Sequence, residues 1–117
     1  MAVRRIVANL HAAEPRAAQA FYGDLLGLDI LMEHGWILTF GTGGTMTPQL
    51  GVASEGGAGT PVPLLSIEVD NVDELYDRVK AARLEIVYDL ADEPWGVRRF
   101  FVRDPFGNIV NILEHRA

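Results

Sequence analysis

A shift in numbering that carries Glu14 onto Asp70 also carries Leu28-Asp29-Ile30 onto Leu84-Glu85-Ile86, so one pattern is written twice along the chain. In the first copy, residues 4 to 11 alternate, with Ile6, Ala8 and Leu10 on one face and Val7, Asn9 and His11 on the other, the period of a half-buried strand. Glu14-Pro15 then opens a helix, Ala18, Phe21, Tyr22 and Leu25 recur at helical spacing, and Gly27 ends it. Strands are predicted over 29–33, 36–40 and 47–53. In the second copy a strand over 64–69 is followed by Asn71-Val72-Asp73-Glu74, a helix-capping pattern, with Val72, Leu75, Tyr76 and Val79 on one helical stripe. Strands are predicted over 84–90, 97–103 and 109–114. Each copy reads βαβββ, and a unit of about 55 residues buries too little apolar surface to stand alone. The expected architecture is therefore α+β: one domain, 1–117, of two βαβββ modules (1–53 and 62–117) joined by a Gly-rich linker (54–61), forming a curved mixed sheet around a cleft.

Composition removes several classes of function. A net charge of −6, with 49 % hydrophobic and 22 % charged residues, describes a folded globular chain. An acidic balance disfavours nucleic acid, which demands clustered Lys and Arg; only Arg98, Arg99 and Arg103 approach a cluster. The absence of Cys excludes disulfides, thiolate nucleophiles and Cys-based metal centres. No apolar run reaches the ~18 residues a membrane span needs, and Met1-Ala2-Val3-Arg4-Arg5 leads into a strand instead of a signal segment. A cytoplasmic protein without membrane or nucleic-acid partners is expected.

The most specific string runs from Trp95 to Asn108 and ends in Asp104-Pro105-Phe106-Gly107-Asn108, where Pro sets φ, Gly supplies φ > 0 and Asp caps the turn. Together with Phe21-Tyr22-Gly23-Asp24-Leu25-Leu26-Gly27-Leu28 and the repeat, it resembles the vicinal oxygen chelate superfamily of glyoxalase I, bleomycin-resistance proteins and extradiol dioxygenases. The resemblance covers nearly the whole chain and implies paired βαβββ modules and a homodimer. Many enzymes of that family hold a divalent metal with four side chains, whose positions map here onto Val7, Gln49, Leu64 and Asn111. None is His, Asp or Glu, and apolar groups with neutral amides suit a divalent ion poorly. The resemblance thus implies a member without the usual metal and without a cofactor.

The remaining candidates are individual side chains. His11 lies on the face of Val7 and Asn9 and reads as a hydrogen-bonding residue at the cleft rim or as a displaced ligand; His34 reads as a turn residue and His115 as a terminal one. Gly41-Thr42-Gly43-Gly44-Thr45 lacks the Lys of a phosphate loop and reads as a hairpin, and no Gly-x-Ser-x-Gly elbow occurs. Strand parity leaves Leu64, Ser66 and Glu68 opposite the helix-packed face, making Glu68 either a ligand-facing carboxylate or a charge at a strand end. Trp36, Phe40, Trp95, Phe100 and Phe101 lie on or beside inner strands, where they read as core or as a sandwich for a planar guest. Glu93-Pro94-Trp95-Gly96 resembles the corresponding stretch of bleomycin-resistance proteins.

The expected function is metal-free binding of a planar or cationic small molecule, such as an antibiotic, in a dimer cleft. The binding residues would be Asn9, His11, Trp36, Phe40, Gln49, Leu64, Ser66, Glu68, Trp95, Phe100 and Asn111, with no catalytic residue. The alternatives are a lyase or dioxygenase-like enzyme using displaced metal ligands such as His11, Glu68 and Glu114, and an interaction module whose cleft is filled by its own side chains.

Overall fold

A computed structural model describes residues 1–43 and 49–116. Part of the Gly41 to Thr45 hairpin and the start of the strand expected from residue 47 lie outside the described residues. Among the described residues there are eight strands, β1 (Val3–His11), β2 (Asp29–Glu33), β3 (Ile37–Gly41), β4 (Gln49–Ala53), β5 (Leu65–Val69), β6 (Ile86–Glu93), β7 (Val97–Arg103) and β8 (Ile109–His115), and one α-helix, α1 (Val72–Ala81). The chain divides into two compact units, Val7–Val62 and a second made of Met1–Ile6 with Pro63–Ala117, so the division falls within β1.

In the Val7–Val62 unit the strand order is β2-β3-β4-β1, with β1 parallel to β4 and the other pairs antiparallel. Leu38, Phe40 and Val52 form its core, covered by Ala18, Tyr22 and Leu28. The expected first helix is instead a 3-10 turn over Pro15–Ala18 followed by a π-helical segment over Gln19–Leu25. Pro15 starts the turn as expected, but no side chain caps it, and the widened turn is closed by Leu26 N–H donating to Phe21 O at 3.0 Å. Gly27, at φ +77°, ends the segment as the sequence requires.

The other unit repeats the plan with regular geometry. Its order is β5-β8-β7-β6, with β5 parallel to β8 and the rest antiparallel. The α1 helix begins where the capping pattern puts it: Asn71 accepts from Glu74 N–H at 3.1 Å. Val72 and Val79 on α1 pack against Val69, Phe100, Val102, Val110 and Ile112. Because side chains alternate along a strand, this leaves Ser66, Glu68, Arg99, Phe101 and Asn111 on the opposite face. The Asp104 turn is built as predicted, with Asp104 Oδ1 accepting from Phe106 and Asn108 N–H, each at 2.8 Å, and Gly107 at φ +86°. Its Phe106 is 88 % exposed, so the Asp104 to Asn108 turn shapes the hairpin and adds nothing to a core.

Candidate functional site

The face of each sheet turned away from its helical cover carries most of the polar residues singled out from the sequence. In the Val7–Val62 unit, β1 and β4 run in the register Ala8↔Leu50 and Asn9↔Gly51, which places Val7 beside Gln49 and Asn9 beside Gly51 on that face. Asn9 is buried. Its carboxamide lies so close over Gly51 that a Cβ there would fall 2.1 Å from Asn9 Oδ1, which explains glycine in the middle of a strand. His11 is exposed and Gln49 half-buried on the same face. Trp36 is half-buried and stacks on His34, rings 6.3 Å apart at 20°, while its carbonyl accepts from Ser54 N–H at 2.9 Å. Phe40 is a correction: with no exposure it sits on the helix-covered face against Tyr22, in the core instead of on a binding wall.

In the unit containing α1, the register sets Ser66 opposite Asn111, and Asn111 Nδ2 donates to Ser66 Oγ at 3.1 Å. Leu64, the position inferred as the partner of Asn111, precedes β5 and is bound through its backbone to Ile109 O, so Ser66 takes the place expected of Leu64. Asn111 is buried, and its Oδ1 has no hydrogen-bond partner among the described residues. Phe100, the second correction, has no exposure and lies under α1 with its ring edge-on to Tyr76. Its neighbour Phe101 points to the other face.

Trp95 faces a group the sequence pattern did not single out. The Arg99 guanidinium lies 4.9 Å from the Trp95 ring centroid, 4.9 Å from Phe101 and 5.1 Å from Tyr88. Glu93 pairs with it at 2.8 Å, and Tyr88 Oη donates to the other Glu93 oxygen at 3.0 Å. Both charged side chains are almost fully enclosed, and such enclosure is tolerable only when the pair is also hydrogen-bonded. A planar cation surrounded by three aromatic rings is thus already present, supplied by the chain itself. The signal was legible in part: Arg98 and Arg99 must point to opposite faces, and Arg99 shares its face with Phe101. The Pro94-Trp95-Gly96 turn brings Glu93 back across to it, with Gly96 N–H donating to Glu93 O.

Glu68 is likewise committed. Arg5 Nε meets Glu68 Oε1 at 2.6 Å and His115 Nδ1 lies 3.2 Å from Oε2. Glu68, Asp70, Glu114, His115 and Arg4 surround a cavity of about 150 Å³. Glu114 accepts from Val72 N–H at 2.9 Å and pairs with Arg116. Among the described residues, no three His, Asp or Glu side chains are arranged to hold a metal ion. At the positions where the resemblance implies metal ligands, the structure offers the Val7 and Gln49 pair in one unit and the Ser66 and Asn111 pair in the other. Uncharged donors of this kind do not compensate a divalent charge, so the side chains present do not fit the metal that the resemblance would bring.

Comparisons with known proteins bear on this arrangement. The family model for the Glyoxalase/Bleomycin resistance protein/Dioxygenase superfamily matches residues 7–112. Among solved structures, a chain described as an NAD-dependent benzaldehyde dehydrogenase from Legionella pneumophila is 18 % identical with TM-score 0.75, over 96 % of this chain and 100 % of that one. A glyoxalase/bleomycin resistance protein/dioxygenase superfamily member from Vibrio splendidus is 20 % identical with TM-score 0.67, over 97 % and 99 %. Methylmalonyl-CoA epimerase from Mycobacterium tuberculosis is 17 % identical with TM-score 0.65, over 98 % and 88 %. Likeness at these identities concerns the fold alone. No curated protein matches. Among the described residues, no helix is long and apolar enough to cross a membrane.

Proposed function

Because the chain belongs to the Glyoxalase/Bleomycin resistance protein/Dioxygenase superfamily and carries uncharged side chains at the inferred ligand positions, we propose that it is a metal-free small-molecule binding protein. The observation that carries this reading is the pair Ser66 and Asn111, a hydroxyl and an amide joined at 3.1 Å where a metal-dependent member would need charge. Sequestration of a planar compound, with no bond made or broken, is the proposed action. Trp95 would stack on the guest with the part of its surface that Arg99 leaves open, and Asn111 would orient it. Arg99 already occupies the aromatic cage, so flatness and hydrogen bonding, more than positive charge, would select the guest.

We further propose that the protein acts in the cytoplasm as a homodimer, with neither nucleic acid nor membrane as partner. Exposed Leu10, Phe21, Leu25 and Leu26 supply apolar surface that a second copy would cover. Fluorescence titration of EDTA-treated protein with planar aromatic compounds tests the binding reading. Saturable quenching that weakens about tenfold or more in Trp95→Ala, a loss of about 1.4 kcal/mol, with the compound recovered unchanged by mass spectrometry, is the expected result. Conversion of the compound, or affinity unchanged in that variant, would overturn it.

A further inference from the structure

Asn111 sits in the middle of β8, paired with β5 on one side and β7 on the other, yet its Oδ1 is buried with no hydrogen-bond partner among the described residues. Its Nδ2 donates to Ser66 Oγ at 3.1 Å, which leaves Oδ1 as the end of the amide turned away from Ser66. A buried acceptor without a donor disfavours the folded state, whereas an apolar side chain of the same size in the same strand would not. Flanking Val110 and Ile112 are both core residues, so this strand readily accepts apolar side chains. A residue that makes the fold less stable than its obvious replacement is the kind found where a chain serves a ligand.

We infer that Asn111 Oδ1 is the acceptor for a hydrogen-bond donor on the bound molecule: a hydroxyl, a primary or secondary amide N–H, or an ammonium group. This rests on the binding function proposed above and specifies its ligand. The same atom rejects carboxylates, phosphates and ketones at this point, because two acceptors would face each other with no proton between them. The requirement is opposite to that of a metal centre, which takes ligand oxygens as electron-pair donors. The second end of the amide stays on Ser66 throughout, so the carboxamide plane is held before the ligand arrives, and the ligand has only to displace the groups that bury the acceptor.

Matched pairs that differ only in a capped donor test this directly: phenol with anisole, benzyl alcohol with benzyl methyl ether, and benzamide with N,N-dimethylbenzamide, titrated into the full chain by NMR. The wild type should bind the uncapped member about tenfold more tightly. Asn111→Leu should bind the two members alike while still binding the capped ones, and Asn111→Asp, which keeps the acceptor, should keep the preference. Without any compound, Asn111→Leu should melt above wild type, by about 4 °C. Equal affinities within the pairs for wild type would overturn this inference and leave the binding function standing. Failure of every pair to bind would overturn both. An Asn111→Leu protein that melts below wild type would also overturn the inference, since the amide would then be satisfied in the folded chain.

Discussion

The two units reach the same strand plan by different means. The unit containing α1 covers its sheet with a regular helix, capped by Asn71 and anchored by Val72 and Val79. The Val7–Val62 unit uses an uncapped 3-10 turn and a π-helical segment, leaving Phe21 52 %, Leu25 70 % and Leu26 55 % exposed. Their other faces differ as well: one is filled by the Arg99 cage, the other by Asn9 lying across Gly51. The repeat therefore resides in the alternation of the strands and in the helix-side apolar residues, while each unit is free to vary its polar face. A face that the fold does not constrain is where a binding specificity can be written.

The largest expected effect belongs to the cage. Arg99→Met or Glu93→Leu alone leaves one enclosed charge unpaired and should lower stability by about 3–5 kcal/mol, read as the midpoint of urea unfolding. The double variant should recover most of that loss; failure to recover would show that the aromatic rings, more than the charge pair, depend on the guanidinium. In the other unit, Gly51→Ala forces a Cβ against Asn9 and should cost about 1–3 kcal/mol. Combined with Asn9→Ala it should cost less than the sum of the two single changes, and strict additivity would break the proposed close approach.

The helix starts should differ in the same way. Asn71→Ala removes a side-chain cap and should cost about 1 kcal/mol, whereas Glu14→Ala, before a turn with no side-chain cap, should leave the thermal midpoint nearly unchanged. The smallest effect is electrostatic. Backbone N–H groups of Asn108 and Phe106, with the Asn108 side chain, hold the Asp104 carboxyl below its ordinary value of 3.8, and hydrogen bonds from Arg98, then its charge, do the same for Asp73. A lowered folded-state pKa adds stability above the ordinary value and loses it as pH falls through the folded one. Melting temperature should thus be insensitive to these groups above about pH 4 and decline below it, with a shallower decline in Asp104→Asn.

The fold was legible because its signals are local and redundant: alternation in β1, the Asn71 cap, the Asp104 turn and the repeat each point to the same plan. The helical segment before Gly27 reads as regular in the sequence because spacing at i, i+3, i+4 does not distinguish an α-turn from the wider turn closed between Phe21 and Leu26. The polar face was harder. Strand parity alone separated Ser66 and Glu68 from the helix side, but not Phe40 and Phe100, whose burial depends on Tyr22 and Tyr76 packing over them. Parity also could not say that Glu68 would be bound by Arg5 and His115, residues far from it in sequence. Arg99 registered only as part of a basic run, because an arginine reads as surface unless its acid and its aromatic cover are known together.

Uncharged side chains standing where a metal-binding set would be are the centre of this account. The most direct measurement is elemental analysis of protein purified without a metal-affinity tag, paired with melting curves in Mn²⁺, Ni²⁺, Zn²⁺ and Fe²⁺. The expected result is metal far below one per chain and a melting temperature unmoved by any of the four, since an ion that bound the native state would raise it by mass action. One metal per chain, with a melting temperature raised by that ion and restored by EDTA, would contradict it.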